Sequence, residues 1–230
     1  MSLSFLQDCE SLGIHLPLTM QNQFTTYYEY LISQNQVMNL TAITDKNEVY
    51  TKHFFDSLCL SKAGIFEQKT LLDVGSGAGF PSLPLKIVYP SLKVTIIDAL
   101  QKRIDFLSRL SDQLGMTDNK LIHGRVEEFI MKNYFDFVTA RAVARLNILT
   151  ELCLPFVKVG GKFIAMKSMN YQEELEEAKK AIALLGGKIE TIIEYPLDDD
   201  LKHVLIVISK IKNTGESYPR SFGLIKKKPL

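Results

Sequence analysis

Cysteine is scarce in this 230-residue chain, and Cys9, Cys59 and Cys153 are odd in number and far apart, with no C-x-x-C pair and no histidines at ligand spacing. That pattern argues against a disulfide framework and against structural zinc, and for a reducing compartment. No apolar run approaches the ~18 residues of a membrane span and no signal peptide opens the chain, so a soluble cytoplasmic protein with no membrane partner is expected. A lopsided charge is missing too, since 27 basic and 26 acidic residues leave +1. The distribution is less even: residues 171–200 hold nine acids against three bases, and residues 201–230 hold seven bases against one acid. No internal repeat or low-complexity tract is visible. The 46% apolar content suffices for one α/β core with a modest appendage.

The most informative stretch is LLDVGSGAGF, Leu71 to Phe80, an apolar strand that ends in Asp73 and runs into Gly75, Gly77 and Gly79. Glycines at alternate positions remove the Cβ atoms that would hold a ligand away from the backbone, and the apolar stretch beyond them opens a helix whose first amides can face an anionic group. The spacing is D-x-G-x-G-x-G rather than the G-x-G-x-x-G of a dinucleotide fingerprint. A carboxylate would be repelled by a pyrophosphate but attracted by the ammonium and sulfonium of S-adenosylmethionine, so Asp73 favours the methyl donor over NAD. The next strand-like run, KVTIIDA, ends in Asp98, nineteen residues after Gly79, where an acid can accept bonds from two ribose hydroxyls. Ala99 and Leu100, which follow it, belong to the same candidate cofactor site. The alternative is that Asp98 caps a helix starting near Gln101.

Apolar periodicity predicts helices over residues 2–64, carried by Phe5, Leu6, Cys9 and Leu12, by Phe24, Tyr27, Tyr28 and Leu31, and by Phe54, Leu58 and Ala63. From Lys69 strands and helices alternate, which implies a parallel sheet covered on both faces. The runs KIETIIEY and HVLIVISK are separated by only a few residues, too few for a parallel crossover, so they must pair antiparallel. The expectation is an α/β, Rossmann-like S-adenosylmethionine-dependent methyltransferase fold of class I: seven strands, mostly parallel, with the last reversed. Its organisation is a helical cap over 1–64, a methyltransferase core over 65–212 and a basic tail over 213–230 that packs on or extends the core and is mobile when free.

In order along the chain stand MNLTAI (Met38 to Ile43), KHFFDS (Lys52 to Ser57), DVGSGAGFPSLPLKI, a Lys102–Arg103 pair before Phe106–Leu107, GRVEEF (Gly124 to Phe129), TARAVA (Thr139 to Ala144) and a terminal YPR…KKKPL. Taken together these motifs resemble the glucose-inhibited division protein B family, the small-subunit ribosomal RNA guanine-N7 methyltransferase G group, over nearly the whole chain. Ser82 after Pro81 departs from the usual family glycine. The resemblance implies S-adenosylmethionine as cofactor, guanine N7 as the methylated atom, 16S ribosomal RNA as partner, free or in a small-subunit assembly intermediate, and a monomeric enzyme.

Other methylations fit the residues less well. Exocyclic amines are commonly held by an [ND]-P-P-[YF] element after the fourth strand, where this chain has TARA. Pyrimidine carbon-5 chemistry needs a cysteine nucleophile, and Cys153 reads as a small core residue. Ribose 2′-oxygen methylation needs a proton acceptor, and the usual acidic slot is occupied by Arg141 or its neighbours. Guanine N7 already carries a free lone pair, so positioning suffices and no obligatory catalytic acid or base is expected. A methyltransferase acting on a small molecule, and a non-catalytic binding module that kept the fold, remain as alternatives.

Several side chains carry two readings. By analogy with the family Arg141 lies beside the cofactor, where its fork can bind the methionine carboxylate or guanine O6 and phosphate; the other reading is a surface arginine. Val126 and Glu127 can contact the adenine or form an ordinary first helical turn. Phe80 either packs near the donor or belongs to the core. His53 and Asp56, three apart, form a hydrogen-bonded pair tying cap to core or touch substrate. Asn39 is a turn and helix-cap signal that can also face the acceptor base. Lys167 ends the fifth strand and is a candidate for catalysis and for RNA. Lys102, Arg103 and Arg109, with Arg220, Lys226, Lys227 and Lys228, are candidate phosphate contacts or a solvated charged face.

Overall fold

A computed structural model describes residues 3–116 and 118–230. Seven strands form one sheet in the order β3-β2-β1-β4-β5-β7-β6: β1 Thr70–Val74, β2 Lys93–Asp98, β3 Lys120–His123, β4 Phe135–Arg141, β5 Val157–Ser168, β6 Gly187–Pro196 and β7 Lys202–Lys210. The first five pair in parallel, with Leu71 opposite Val94 and Leu72 opposite Val138. β7 enters antiparallel between β5 and β6, as the short link before it requires. Asp198 closes that link by accepting N–H bonds from Asp200 and Leu201. The chain reverses direction along the sheet between β1 and β4, so a crevice opens at the carboxyl ends of these strands, the place where such sheets bind ligands.

The helices are α1 Leu3–Ser11, α2 Leu18–Met38, α3 Lys46–Val49, α4 Asp56–Leu58, α5 Ser82–Val88, α6 Gln101–Gln113, α7 Leu146–Cys153, α8 Gln172–Leu184 and α9 Phe222–Lys227. A π-helical turn, Tyr50–Phe55, joins α3 to α4, and a 3-10 turn, Cys59–Ala63, follows. Helices α1 to α4 form the cap. They share one apolar core with a face of the sheet, because Phe5, Phe24, Tyr27 and Phe54 pack edge to face or tilted upon one another and on to Phe80 at the crevice. The second core, on the other face, is built by α7 and α8 against Val138, Phe163 and Ile206.

The tail lies against the core. It carries α9, which packs on α7 with Ile225 fully buried, and it is clamped by Arg220, whose Nε and Nη2 donate to Glu151 at 2.7 and 2.6 Å. Glu151 has no exposed surface, and a buried carboxylate needs such a partner. Just upstream, the buried Lys210 ammonium donates to the carbonyls of Leu154 and Leu185 and to the Thr214 hydroxyl.

Candidate active site

Two clefts meet at Gly75. One, of about 190 Å³, is lined by the glycine turn, Phe80, Arg103, Arg141 and Ala142, with Leu40, Thr41 and His53 supplied by the cap. The other, of about 170 Å³, is an apolar slot between Val74, Ile97, Val126, Val143 and Leu152. The turn's geometry explains its glycines separately. Gly77 has φ of +61° with nothing where its Cβ would project, so a side chain there would be strained and would enter the cleft. Gly79 has φ of +100° and a Cβ that would lie 2.6 Å from the Tyr27 hydroxyl, which itself donates to Ala78 O at 2.6 Å. Gly79 therefore admits the cap rather than a ligand.

Asp98, 3% exposed, lines neither cleft itself, but it lies between Ile97 and Ala99 of the slot and bonds Gly77 and Arg103 of the other cleft. It accepts from the N–H groups of Leu100 and Gly77 and from Arg103, which leaves one of a carboxylate's four lone-pair sites. Its bond to Leu100, rather than a cap of α6, fixes the strand end. Ala99 lines the slot, whereas Leu100 is outside both clefts and 44% exposed. Val126 and Glu127 line the slot, in a 3-10 turn, Val126–Glu128.

Asp73 requires a correction. Expected to face the donor's cationic groups, it is wholly buried beneath the turn and lines neither cleft. Its Oδ2 accepts from Ser82 N at 3.2 Å and its Oδ1 has no partner, so it stitches the end of β1 to the start of α5. Burial pushes this carboxyl up to about 7, against the pull of Ser82 and of the Arg141 charge. The cleft wall also holds the buried Ser76 hydroxyl without a partner.

Arg141 is the hub. Its Nη1 donates to Asp56 Oδ2 at 2.9 Å and to Lys52 O at 3.3 Å, and its Nη2 donates to His53 Nδ1 at 3.3 Å. Its guanidinium lies 4.9 Å from the centroid of Phe80. Three of five N–H donors are thus committed, and two remain for a ligand. His53 and Asp56, expected to bond to each other, are instead bridged by Arg141. Burial and the Arg141 charge push His53 down to about 4, so the ring is neutral. Its Nε2 lies 2.8 Å from Thr41 Oγ1, which can donate or accept, and its Nδ1 lies 3.1 Å from Lys52 O and 3.3 Å from Arg141 Nη2, so the tautomer decides which of those two it bonds. His53 and Tyr27 both stack with Phe80, at 4.6 and 5.4 Å between centroids, so Phe80 joins core and cleft. Burial alone would raise Asp56, yet the His203 bond, the Arg141 charge and the Tyr195 hydroxyl outweigh it and hold the carboxyl below its usual range.

Beyond Arg141 and Ala142 lies a third cavity, of about 310 Å³, lined also by Met166, Lys167, Ser168, Glu174 and His203. Ala142 has φ of +56°, an unusual conformation for a residue with a side chain. Lys167 donates to Glu174 at 2.6 Å and to Ala144 O at 2.7 Å, which leaves it one N–H. Asn39 is exposed and ends α2 in the left-handed region. The residue that organises the turn is Asn35, whose amide binds Leu40 N, Thr41 N and Thr41 O. Sequence reasoning missed it, as it missed Tyr195, Glu151 and Glu174, which bond to groups 139, 69 and 28 residues away.

Among the candidate phosphate contacts, Lys102, Arg109, Lys226, Lys227 and Lys228 are exposed, and Lys102 reaches Met38 O at 3.4 Å. Arg103 turns toward Asp98, and Arg220 is consumed by Glu151. Among the described residues no cluster could hold a metal ion and no helix is long and apolar enough to cross a membrane.

A family model described as GidB, rRNA small subunit methyltransferase G, matches residues 20–198. The chain is 52% identical over 227 residues to "Ribosomal RNA small subunit methyltransferase G" of Geobacillus sp. (strain WCH70), covering 96% of this chain and 95% of that one. It is 48% identical over 236 residues to the protein of the same name from Staphylococcus saprophyticus, covering 100% and 99%. Among solved structures, a SAM dependent methyltransferase from Aquifex aeolicus superposes with a TM-score of 0.54 at 18% identity, over 71% of this chain and 93% of that one. At that identity the likeness speaks to the fold alone.

Proposed function

The chain belongs to the rRNA small subunit methyltransferase G family, and from that premise we propose that it methylates N7 of a guanine in 16S ribosomal RNA, using positioning rather than acid-base catalysis. S-adenosylmethionine, when bound, supplies an electrophilic methyl group on a sulfonium. The residues suited to hold it are Val126 and Glu127 at the adenine, Asp98 at the ribose, and Gly75 to Gly77 with the free Ser76 hydroxyl at the methionine end. The unpartnered hydroxyl and the vacant space at Gly77 fit a polar ligand that approaches the backbone closely.

The observation that carries the reading is Arg141. It stands between the donor cleft and the neighbouring cavity, locked by Asp56 and His53, and among the described side chains that line the donor cleft none is placed as a base or a nucleophile. His53 is neutral but weakly basic, at about 4. Asp56 has both oxygens bonded. Cys153 is fully buried, and burial pushes its thiol well above the usual range. Such a wall is poor at removing a proton and good at orienting a group that has none to lose, which describes guanine N7. One remaining Arg141 N–H directed at guanine O6 would align the N7 edge, and Lys167 stands ready on the far side of the cavity.

Labelled donor incubated with small subunits and with free 16S rRNA, followed by chain scission at 7-methylguanosine, tests the reaction; label on an exocyclic amine, a ribose or a pyrimidine would reject it. At saturating donor and RNA the rate of the chemical step should stay flat between about pH 6 and 9, because no essential base titrates. Arg141→Lys keeps the charge but loses the planar fork, and should lower kcat by about 10²-fold.

A further inference from the structure

The apolar slot has a wall that does not come from the methyltransferase core at all. Phe222, the first residue of α9, lines it together with Val126, Val143 and Leu152. Arg125, which immediately precedes Val126, places its guanidinium 5.2 Å from the centroid of the Phe222 ring, so the ring is held by a cation on the slot's own rim. The anchoring of the tail converges on the same place. Arg220, two residues before Phe222, donates its backbone N–H, Nε and Nη2 to Glu151, and Leu152, the next residue of α7, is itself a slot wall. Ile225, three residues after Phe222, is fully buried.

We propose that Phe222 is a donor-binding residue: its ring closes the outer side of the adenine subsite, so that docking of the C-terminal tail and binding of the donor are thermodynamically coupled. The inference rests on assigning the slot to adenine. An adenine has two apolar faces and a polar edge, and the slot offers aliphatic and aromatic side chains together with Val126, Glu127 and Ala99, the residue after Asp98. A donor seated there would add contact to Phe222 and thereby hold α9 down. By linkage the same free energy acts in both directions. The exposed Lys226, Lys227 and Lys228 lie on and just after α9, so a polyanion that engages them bears on a wall of the donor site.

The test is calorimetric titration of the full-length protein with S-adenosylhomocysteine and with adenosine. Phe222→Ala should weaken both by a similar factor, about tenfold on the scale of aromatic-base contacts, and Phe222→Leu, which restores apolar bulk, should recover part of the loss. In the unaltered protein, saturating S-adenosylhomocysteine should slow amide exchange across residues 219–228; this readout stands even if Phe222→Ala does not fold. Asp98→Ala separates the two assignments. If Asp98→Ala abolishes binding while Phe222→Ala leaves it within twofold and exchange in the tail does not change, the coupling is refuted and the donor cleft stands. If neither substitution weakens binding, the cleft assignment itself falls and takes the proposal with it.

Discussion

A carboxylate with no exposed surface and one unpaired oxygen costs stability whenever it is ionised, and Asp73 is such a group. Its folded value of about 7 lies above the ordinary 3.8. A raised folded value means that the fold prefers the protonated acid, so the contribution is fully present below the unfolded value and is lost as pH rises through the folded one. Asp73→Asn keeps an acceptor for Ser82 N and has nothing to ionise. The variant should therefore gain on the parent as pH rises from about 4 to about 7, by an amount on the order of a few kcal/mol, and the gap should be constant above that. Urea unfolding of both proteins at several pH values reads the difference; a gap that ignores pH would refute the buried-charge account. The position of this acid before the glycines was plain from the sequence. Its burial was not, since that depends on Ser82 folding back over it, a contact that motif spacing does not encode. Arg141 was legible as a functional residue for the same reason that its partners were not: TARA marks the end of a strand, whereas Tyr195 and His203 reach Asp56 only through the sheet order.

At the level of elements the turn between β1 and α5 does two separate jobs, and substitutions can tell them apart. Gly77→Ala puts a methyl group into open cleft at φ of +61°; it should cost about 1 kcal/mol of stability and weaken donor binding. Gly79→Ala drives a methyl group into the Tyr27 hydroxyl, Leu83 and Leu107, and should cost about 3 kcal/mol or more by displacing the cap. Because the nearest obstacle is the Tyr27 oxygen, the Gly79→Ala penalty should shrink in a Tyr27→Phe background, and a double-mutant cycle by denaturant unfolding should show that coupling. Additive costs would mean that backbone strain alone sets the penalty. The strands, their order of direction and the final hairpin were readable because buried apolar runs and short links leave few alternatives. The π-helical turn that carries His53, and the left-handed ends at Asn39 and Ala142, were not. Nothing in local composition distinguishes them from regular helix or loop, and His53 and Ala142 line the cleft, where local rules commonly yield to function.

Over the whole molecule the charge is balanced in sum but not in use. Of the basic residues near the tail, Arg220 is neutralised by a buried glutamate and Lys210 is sequestered among carbonyls, whereas Lys226, Lys227 and Lys228 are exposed. Burial pushes Lys210 down to about 8, in keeping with a structural ammonium rather than a phosphate ligand. Counting sequence charges therefore overstates the surface available to RNA, and only the side chains free of internal partners can release counterions from it. Each phosphate contact to a single strand contributes roughly 0.7 to the slope of log affinity against log salt. Replacing Lys226, Lys227 and Lys228 together by alanine should flatten that slope by at most about 2 for binding of 16S rRNA between 50 and 200 mM salt. Arg220→Ala should behave otherwise, lowering the melting temperature by stranding Glu151 without a counter-charge. If the triple variant keeps the parental slope, the tail lies outside the RNA interface and phosphate binding falls to other exposed bases, Lys102 and Arg109 of α6 among them. If the slope flattens while the melting temperature stays put, the same short segment serves the RNA with its lysines and the fold with its arginine.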